Sequence, residues 1–326
     1  MSTPQAPTYS LVVPVFNSAQ VVGRTIDRIL EVFDVSGLDY ELILVNDGSP
    51  DDSWRVISER ARTTPRVVAL NLLKNYGQHN ANLAGFHEAS GEWVITLDDD
   101  LQNPPEEAMK LIEHARQGHD VVFGEFESKQ AAGYRKLGSK VVSLINRRVF
   151  DQPAWLPVSN YRVLHRDVVA RICADNTAHP YITGQALLYS HNPSSVPVRH
   201  DPRPVGSSNY SLLRILRLVL TILFSYSCSR SGWRPCSASL SPGRVPAGRV
   251  LPGARAGHRD GRSGLDDDGG AAGSVQRLHH RAAVHAGEYV IRTLNAVSTP
   301  HPFHVDQRVR FDPAQVDGVP VAEAGE

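Results

Sequence analysis

The residues best suited to chemistry fall in three short polar runs, each directly after an apolar stretch: Pro14-Val15-Phe16-Asn17, Asn46-Asp47-Gly48 and Asp98-Asp99-Asp100-Leu101-Gln102. In the third run, the Asp98-x-Asp100-x-Gln102 spacing puts alternate side chains on one face of an extended segment. Two carboxylates and an amide oxygen are hard donors. They suit Mg²⁺ or Mn²⁺, ions that keep several waters and bridge phosphates. A single acid such as Asp47 suits a ribose hydroxyl or a base edge, from which a carboxylate accepts. An isolated acidic run is ordinarily a solvated loop, so placement after a strand is what distinguishes this one. Asp266–Asp268 is also a triplet, but no strand precedes it and it carries no weight. Arg162, Arg199 and Arg203 are candidate cations for a phosphate. His79, His87, His114 and His119 show no metal-ligand spacing and read as solvent-facing, while Cys173 reads as core.

The elements that must hold these runs follow from periodicity. Residues 9–124 alternate strand and helix signals, which argues for a mostly parallel sheet covered by helices. Strands are expected at Tyr9–Phe16, Glu41–Val45, Val67–Leu70, Trp93–Leu97 and Val121–Gly124. Helices are expected after Val21, over Ser53–Arg62 with Asp51 or Asp52 as cap, and over Gln78–Ala89, where Ala81, Ala84 and Gly85 make a small, close-packing face. Pro104-Pro105-Glu106-Glu107 opens another helix, since proline is tolerated in the first turn and acids favour its positive end. Residues 133–150 read as a basic amphipathic helix, followed by a strand at Tyr161–Leu164, a helix at 166–175 and strands near 185–190 and 195–200. All three polar runs thus lie at carboxyl ends of strands, where open α/β sheets bind ligands.

Composition bounds the rest. The 326 residues carry 34 basic and 34 acidic side chains, so a strongly electrostatic nucleic-acid binder is excluded. Three cysteines make no disulfide framework and fit a reducing compartment. Met1–Ser10 lacks the basic start and apolar core of a signal peptide, and no run of 18 apolar residues occurs. The averages hide a break at Cys228–Ala286, which contains nine Arg but no Ile, Phe, Tyr, Met, Lys, Asn, Thr or Glu. Such a stretch buries too little apolar area to offset its ordering entropy.

Taken together, the motifs resemble family 2 glycosyltransferases, in the polyprenyl-phosphate (dolichol-phosphate mannose synthase-like) branch. The carrying residues are Val13–Asn17, Val45–Ser49, Asn75-Tyr76-Gly77-Gln78, Ala84-Gly85 through Ala89-Ser90-Gly91, and Asp98–Glu106. Ser159-Asn160-Tyr161-Arg162, Tyr181-Ile182-Thr183-Gly184 and His200-x-Pro202-Arg203-x-x-Gly206-x-Ser208-Asn209-Tyr210 continue the match, which covers about residues 8–227. The resemblance implies a glycosyltransferase A type α/β fold with a catalytic domain over 8–207. It also implies a nucleotide-diphosphate sugar donor, inversion at the anomeric carbon and a lipid-phosphate acceptor. Carried over by position, Pro14, Phe16, Asn17, Asp47, Gly77, Gln78, Asp98 and Asp99 would bind the nucleotide sugar. Asp98, Asp100 and Gln102 would hold the Mg²⁺ or Mn²⁺, and Asp100, Arg162 and Arg203 would be the catalytic set. Arg135, Arg199 and Arg203 would meet the acceptor phosphate. Asn46 stands where the family usually has a second aspartate. Glu125 stands where many relatives have an arginine, leaving Lys129 or Arg135 as the cation there.

The reaction's chemistry points the same way. A sugar hydroxyl acceptor needs a general base, whereas a phosphate monoester, with a second pKa of about 6, is already a nucleophile at neutral pH. It needs cations to position it. The Gln-x-x-Arg-Trp signature of processive sugar polymerases is missing. Residues 208–227 suit an amphipathic helix in the membrane interface. Residues 228–286 occupy the place of the branch's membrane helices and read as a frame-shifted tract, with 287–326 resuming the family's tail. The expected location is the cytoplasmic face of a membrane in an intact form, soluble or peripheral as written, with homo-oligomerisation left open and no nucleic-acid partner. Two alternatives remain open: a family 2 transferase acting on a soluble glycan, and an inactive nucleotide-binding product of a damaged gene.

Overall fold

A computed structural model describes residues 7–126, 143–175, 177, 179–201 and 302–312. Lys129, Arg135, Arg203, Gly206, the segments 208–227 and 228–286, and most of 287–326 lie outside the described residues. Strands β1 (Tyr9–Val15), β2 (Tyr40–Asn46), β3 (Val67–Leu72) and β4 (Trp93–Thr96) alternate with helices α1 (Val22–Ser36), α2 (Ser53–Thr63) and α3 (Gln78–Glu88). A short 3-10 turn at Pro105–Glu107 leads into α4 (Ala108–Ala115) and β5 (Val121–Phe126). Residues 143–149 are helical (α5). There follow β6 (Arg162–His165), α6 (Arg166–Ala174), α7 (Ile182–Tyr189), β7 (Pro193–Val198) and β8 (Val305–Arg310).

The sheet has the order β7-β5-β6-β4-β1-β2-β3-β8. Six strands run one way; β6 and β8 run against them. Both faces are covered, so β1 is buried at every position and successive residues serve opposite cores. Val12, Ile43 and Val45 pack beneath α3, α6 and α7, while Leu11, Val13, Leu42 and Leu44 pack beneath α1, α2 and α4. Each side chain of this size contributes about 1.5–3 kcal/mol when fully buried. Helix α1 buries Val22, Ile26, Ile29 and Phe33 as a helical stripe, and it stops at Gly37, whose φ of 68° ends the helix in the left-handed region. Gly85 lets α3 sit directly on the sheet: a Cβ there would overlap the Val12 side chain.

The segment near 185–190, expected as a strand, is instead helix α7. A short apolar run is ambiguous by period, and this one is buried on most sides, with Gly184 fitted against Phe150 and Tyr181. Strand β8 was not anticipated. It pairs antiparallel with β3 at the sheet edge, and Arg308 and Arg310 both reach Glu88 on α3.

Candidate active site

Three loops meet beyond the carboxyl ends of β1, β2 and β4, and their contacts join residues far apart in sequence. The Phe16 N–H donates to Asp99 Oδ2 (3.2 Å), as does the Ser18 hydroxyl, and Thr25 donates to the Asp99 carbonyl (2.8 Å). The Asn17 N–H donates to Ser49 Oγ (3.1 Å), and the Ala19 N–H to Asp51 (2.9 Å). The first loop is thereby tied to both of the others. Phe16 is left 49% exposed at the mouth, available to lie against a flat ligand. Asn17 holds a φ of 54°, a turn conformation that asparagine tolerates better than most residues.

Asp47 is buried at the end of β2. Its two oxygens accept the N–H groups of Tyr76 (2.7 Å) and Gly77 (2.8 Å), so it organises the loop between β3 and α3. Burial pushes its pKa up, and those two bonds pull it back. Gly77 has a φ of 91°, and Gly48 packs so closely on Lys74 and Asn75 that a Cβ would overlap their backbone. Asn46 donates to Asn71 (2.7 Å) on the neighbouring strand.

The Asp98–Asp100 run is the electrostatic centre. Asp98 accepts the amides of Gln78 (2.7 Å) and Asn103 (3.0 Å), and Asn160 in turn reaches Gln78 Oε1 (3.4 Å). Burial, with Asp100 and Asp99 close by, pushes the Asp98 carboxyl up to about 6. Asp99 is also pushed up to about 6, chiefly by burial, against the Ser18 and Phe16 hydrogen bonds. Asp100 accepts the Gln102 N–H (3.0 Å) through a turn in which Leu101 adopts a φ of 59°. The Gln102 side-chain amide lies 3.5 Å from His200 Nε2 and from the Asp201 carbonyl, and the Asp201 N–H donates to the Gln102 carbonyl (2.9 Å). Crowded oxygens of one sign, with the Asp98 and Asp99 carboxyls pushed up first by burial and then by neighbouring charge, are what a divalent cation relieves, so this donor set fits Mg²⁺ or Mn²⁺. Among the described residues no three His, Cys, Asp or Glu form a ready-made cage. The remaining positions would fall to water and phosphate, the usual Mg²⁺ arrangement.

Several expected site residues have other surroundings. Pro14 is buried within β1, in register with Val45, and shapes the strand end from inside. Arg162 is fully buried on β6 and donates to Thr183 (2.9 Å), with Nε and one terminal nitrogen unpartnered among the described residues. It lies close enough to Asp98 and His79 to act on both, but it has no surface from which to touch an acceptor. Arg199 binds Glu107 through Nε (2.9 Å) and its own N–H (3.2 Å), so it secures the 199–201 segment. His79 is not solvent-facing: its Nδ1 is buried without a partner among the described residues, its ring meets Tyr181 edge-on at 5.2 Å, and burial lowers its pKa to about 4. Cys173 packs partly buried against the core, and burial pushes its thiol up to about 11. Ser18, Thr25 and Asn103 complete the site and were not among the expected residues. Their partners lie 81, 74 and 5 residues away; Ser18 directly follows the Val13–Asn17 motif and Asn103 lies within Asp98–Glu106, whereas Thr25 adjoins no motif visible in sequence.

Comparison with known proteins finds the family described as glycosyl transferase family 2 matching residues 10–173. The undecaprenyl-phosphate 4-deoxy-4-formamido-L-arabinose transferase of Pectobacterium carotovorum subsp. carotovorum (strain PC1) is 36% identical over 215 residues, 66% of this chain and 66% of that protein. The chain thus spans just under two thirds of that relative's length. The transferase of the same name from Klebsiella pneumoniae (strain 342) is 33% identical over 68% of each chain. Among solved structures, glucosyl-3-phosphoglycerate synthase from Mycobacterium tuberculosis in complex with phosphoglyceric acid shares the fold. The TM-score is 0.50 at 18% identity, covering 69% of this chain and 82% of that one.

Proposed function

Because this chain belongs to glycosyl transferase family 2, we propose that it transfers a sugar, with inversion, from a nucleotide-diphosphate sugar to a polyprenyl phosphate. The observation that carries the reading is the joining of three strand-end motifs into one site: Asp99 to Phe16 and Ser18, Asp47 to Tyr76 and Gly77, and Asp98 to Gln78. A site so divided suits a donor with distinct parts. Phe16 would lie against the base, the loop held by Asp47 would border the nucleoside, and Asp98–Gln102 would face the diphosphate.

In the reaction, an oxygen of the acceptor phosphate forms the bond to the anomeric carbon from the side opposite the leaving group. The anomeric C–O bond to the nucleoside diphosphate breaks, and its electron pair leaves with the diphosphate. A divalent ion held by Asp98, Asp100 and Gln102 would supply neutralisation of that departing charge. A phosphate monoester acceptor is itself a nucleophile at neutral pH and needs no general base from this run of carboxylates. The names of the relatives, undecaprenyl-phosphate transferases, support a lipid phosphate of that class. With Arg162 buried, the cations for the acceptor would come from Lys129, Arg135, Arg199 and Arg203. The reading extends to a location at the cytoplasmic face of a membrane, with residues 208–227 in its interface.

A panel of labelled nucleotide sugars, each assayed with and without detergent-solubilised polyprenyl phosphate, tests this. Label is expected in the lipid fraction only when the lipid phosphate is present. Transfer to soluble glycans at equal rate without lipid would refute the acceptor.

A further inference from the structure

His200 opens the His-x-Pro-Arg motif just after β7, in a segment anchored on both sides of it. On one side Arg199 binds Glu107 through Nε (2.9 Å) and its own N–H (3.2 Å). On the other, the Asp201 N–H donates to the Gln102 carbonyl (2.9 Å). The Phe126 ring at the end of β5 lies against the imidazole, with ring centroids 4.7 Å apart. The ring is thus held from three directions beside the Asp98–Gln102 run, 98 residues from Gln102 in the chain.

Two side-chain amides meet this ring, one at each nitrogen. Buried Asn103 donates from Nδ2 to Asp98 Oδ2 (3.0 Å), and an ionised carboxylate only accepts. That fixes Asn103 Oδ1 as the end facing His200 Nδ1 (3.3 Å), so the proton of a neutral ring belongs on Nδ1 and Nε2 is an acceptor. His200 Nε2 and the Asp201 carbonyl, which also only accepts, each lie 3.5 Å from the Gln102 amide nitrogen. Both neighbours require N–H groups on that side, which leaves the carbonyl oxygen Oε1 as the opposite end of the amide. A glutamine suits a hard divalent ion through that oxygen and not through its nitrogen.

We propose that His200 is a positioning residue: with its proton fixed on Nδ1 by Asn103, it holds the Gln102 amide so that Oε1 serves the divalent ion. The inference rests on the metal role given above to Asp98, Asp100 and Gln102. His200 is not itself a ligand in this arrangement, because one ring nitrogen carries the proton and the other faces the Gln102 amide. Without the ring, the amide could turn its nitrogen to the ion. Loss of such an outer partner weakens a metal site about 10–100-fold.

The test is titration of the full chain with Mn²⁺ alone, followed by electron paramagnetic resonance, for wild type, His200→Phe, Gln102→Ala and the double variant. Phenylalanine keeps a ring against Phe126 and removes both nitrogens. His200→Phe is expected to bind Mn²⁺ about tenfold more weakly at an unchanged melting temperature. His200→Gln, whose amide oxygen can accept from Gln102, should stay within about threefold of wild type. The double variant should bind no more weakly than Gln102→Ala, since His200 acts through Gln102. Pulsed resonance of Mn²⁺ on the wild type should show no directly bonded nitrogen. Wild-type affinity in His200→Phe, or losses that add in the double variant, overturns the proposal. So does a bonded-nitrogen signal that disappears in His200→Phe, which would make His200 a ligand. Should His200→Phe misfold, His200→Ala takes its place in the same cycle, and the nitrogen signal needs no variant. Failure of the wild type to bind Mn²⁺ overturns this inference and the metal reading together, whereas unchanged binding by His200→Phe overturns the positioning alone.

Discussion

Replacing Asp47 by Asn changes one atom at the point where β2 meets the nucleoside loop. The carboxylate accepts from Tyr76 N–H at 2.7 Å and Gly77 N–H at 2.8 Å, one on each oxygen. An amide offers one acceptor and turns its NH₂ toward the other N–H, so one charge-assisted bond is lost and two donors face each other. A hydrogen bond to a charged group contributes about 1.5–3 kcal/mol net. Tyr76 and Gly77 are only half-buried, so water can take over part of the loss, and Asp47 itself loses a desolvation cost on neutralisation. The balance is a destabilisation of about 2 kcal/mol, concentrated in the loop. If about 1.4 kcal/mol of that must be recovered to order the loop around a nucleotide, affinity falls about tenfold. Calorimetric titration with nucleotide, together with amide hydrogen exchange at Tyr76 and Gly77, reads both effects. Wild-type exchange protection at those two amides in the variant would refute the reasoning, whatever the affinity.

Other perturbations test the electrostatics and the packing. His79 has a pKa lowered from 6.5 to about 4 by burial and by Arg162, so the unfolded chain binds the extra proton first. Its penalty is absent above pH 6.5 and grows as pH falls toward 4, reaching at most about 3 kcal/mol. Urea unfolding of His79→Gln should lack that part of the acid loss; identical pH profiles for wild type and variant would contradict it. Asp98→Asn should weaken binding of Mn²⁺ alone at least about tenfold by electron paramagnetic resonance, and an unchanged dissociation constant would remove Asp98 from the metal set. Gly85→Val should cost at least about 2 kcal/mol in urea unfolding, because its side chain would run into Val12 and Val45. Wild-type stability there would mean that α3 does not rest on β1 as closely as described.

Much of the architecture was legible because it is periodic. Alternating apolar runs and helical stripes located β1 to β5 and α1 to α4 within a few residues, and short-range turn chemistry marked where each strand ended. The tail strand β8 and helix α7 were not legible in the same way. The first stays in place by pairing with β3 more than 200 residues away, and the second by burial against Phe150 and the sheet, neither of which leaves a local period.

The amino-acid sequence by itself determined which residue types gather at strand ends: an acid after β2, an Asp-rich run after β4 and an aromatic after β1. Side-chain chemistry and local spacing suffice for that, since each motif is contiguous. Only the tertiary structure decided what each group is joined to. Asp47 holds the backbone 29 and 30 residues on, Arg199 is bound to Glu107 across 92 residues, and Arg162 is enclosed beneath α7. Whether a charge is open to a ligand or already satisfied depends on distance and burial, and neither is a property of neighbours in the chain.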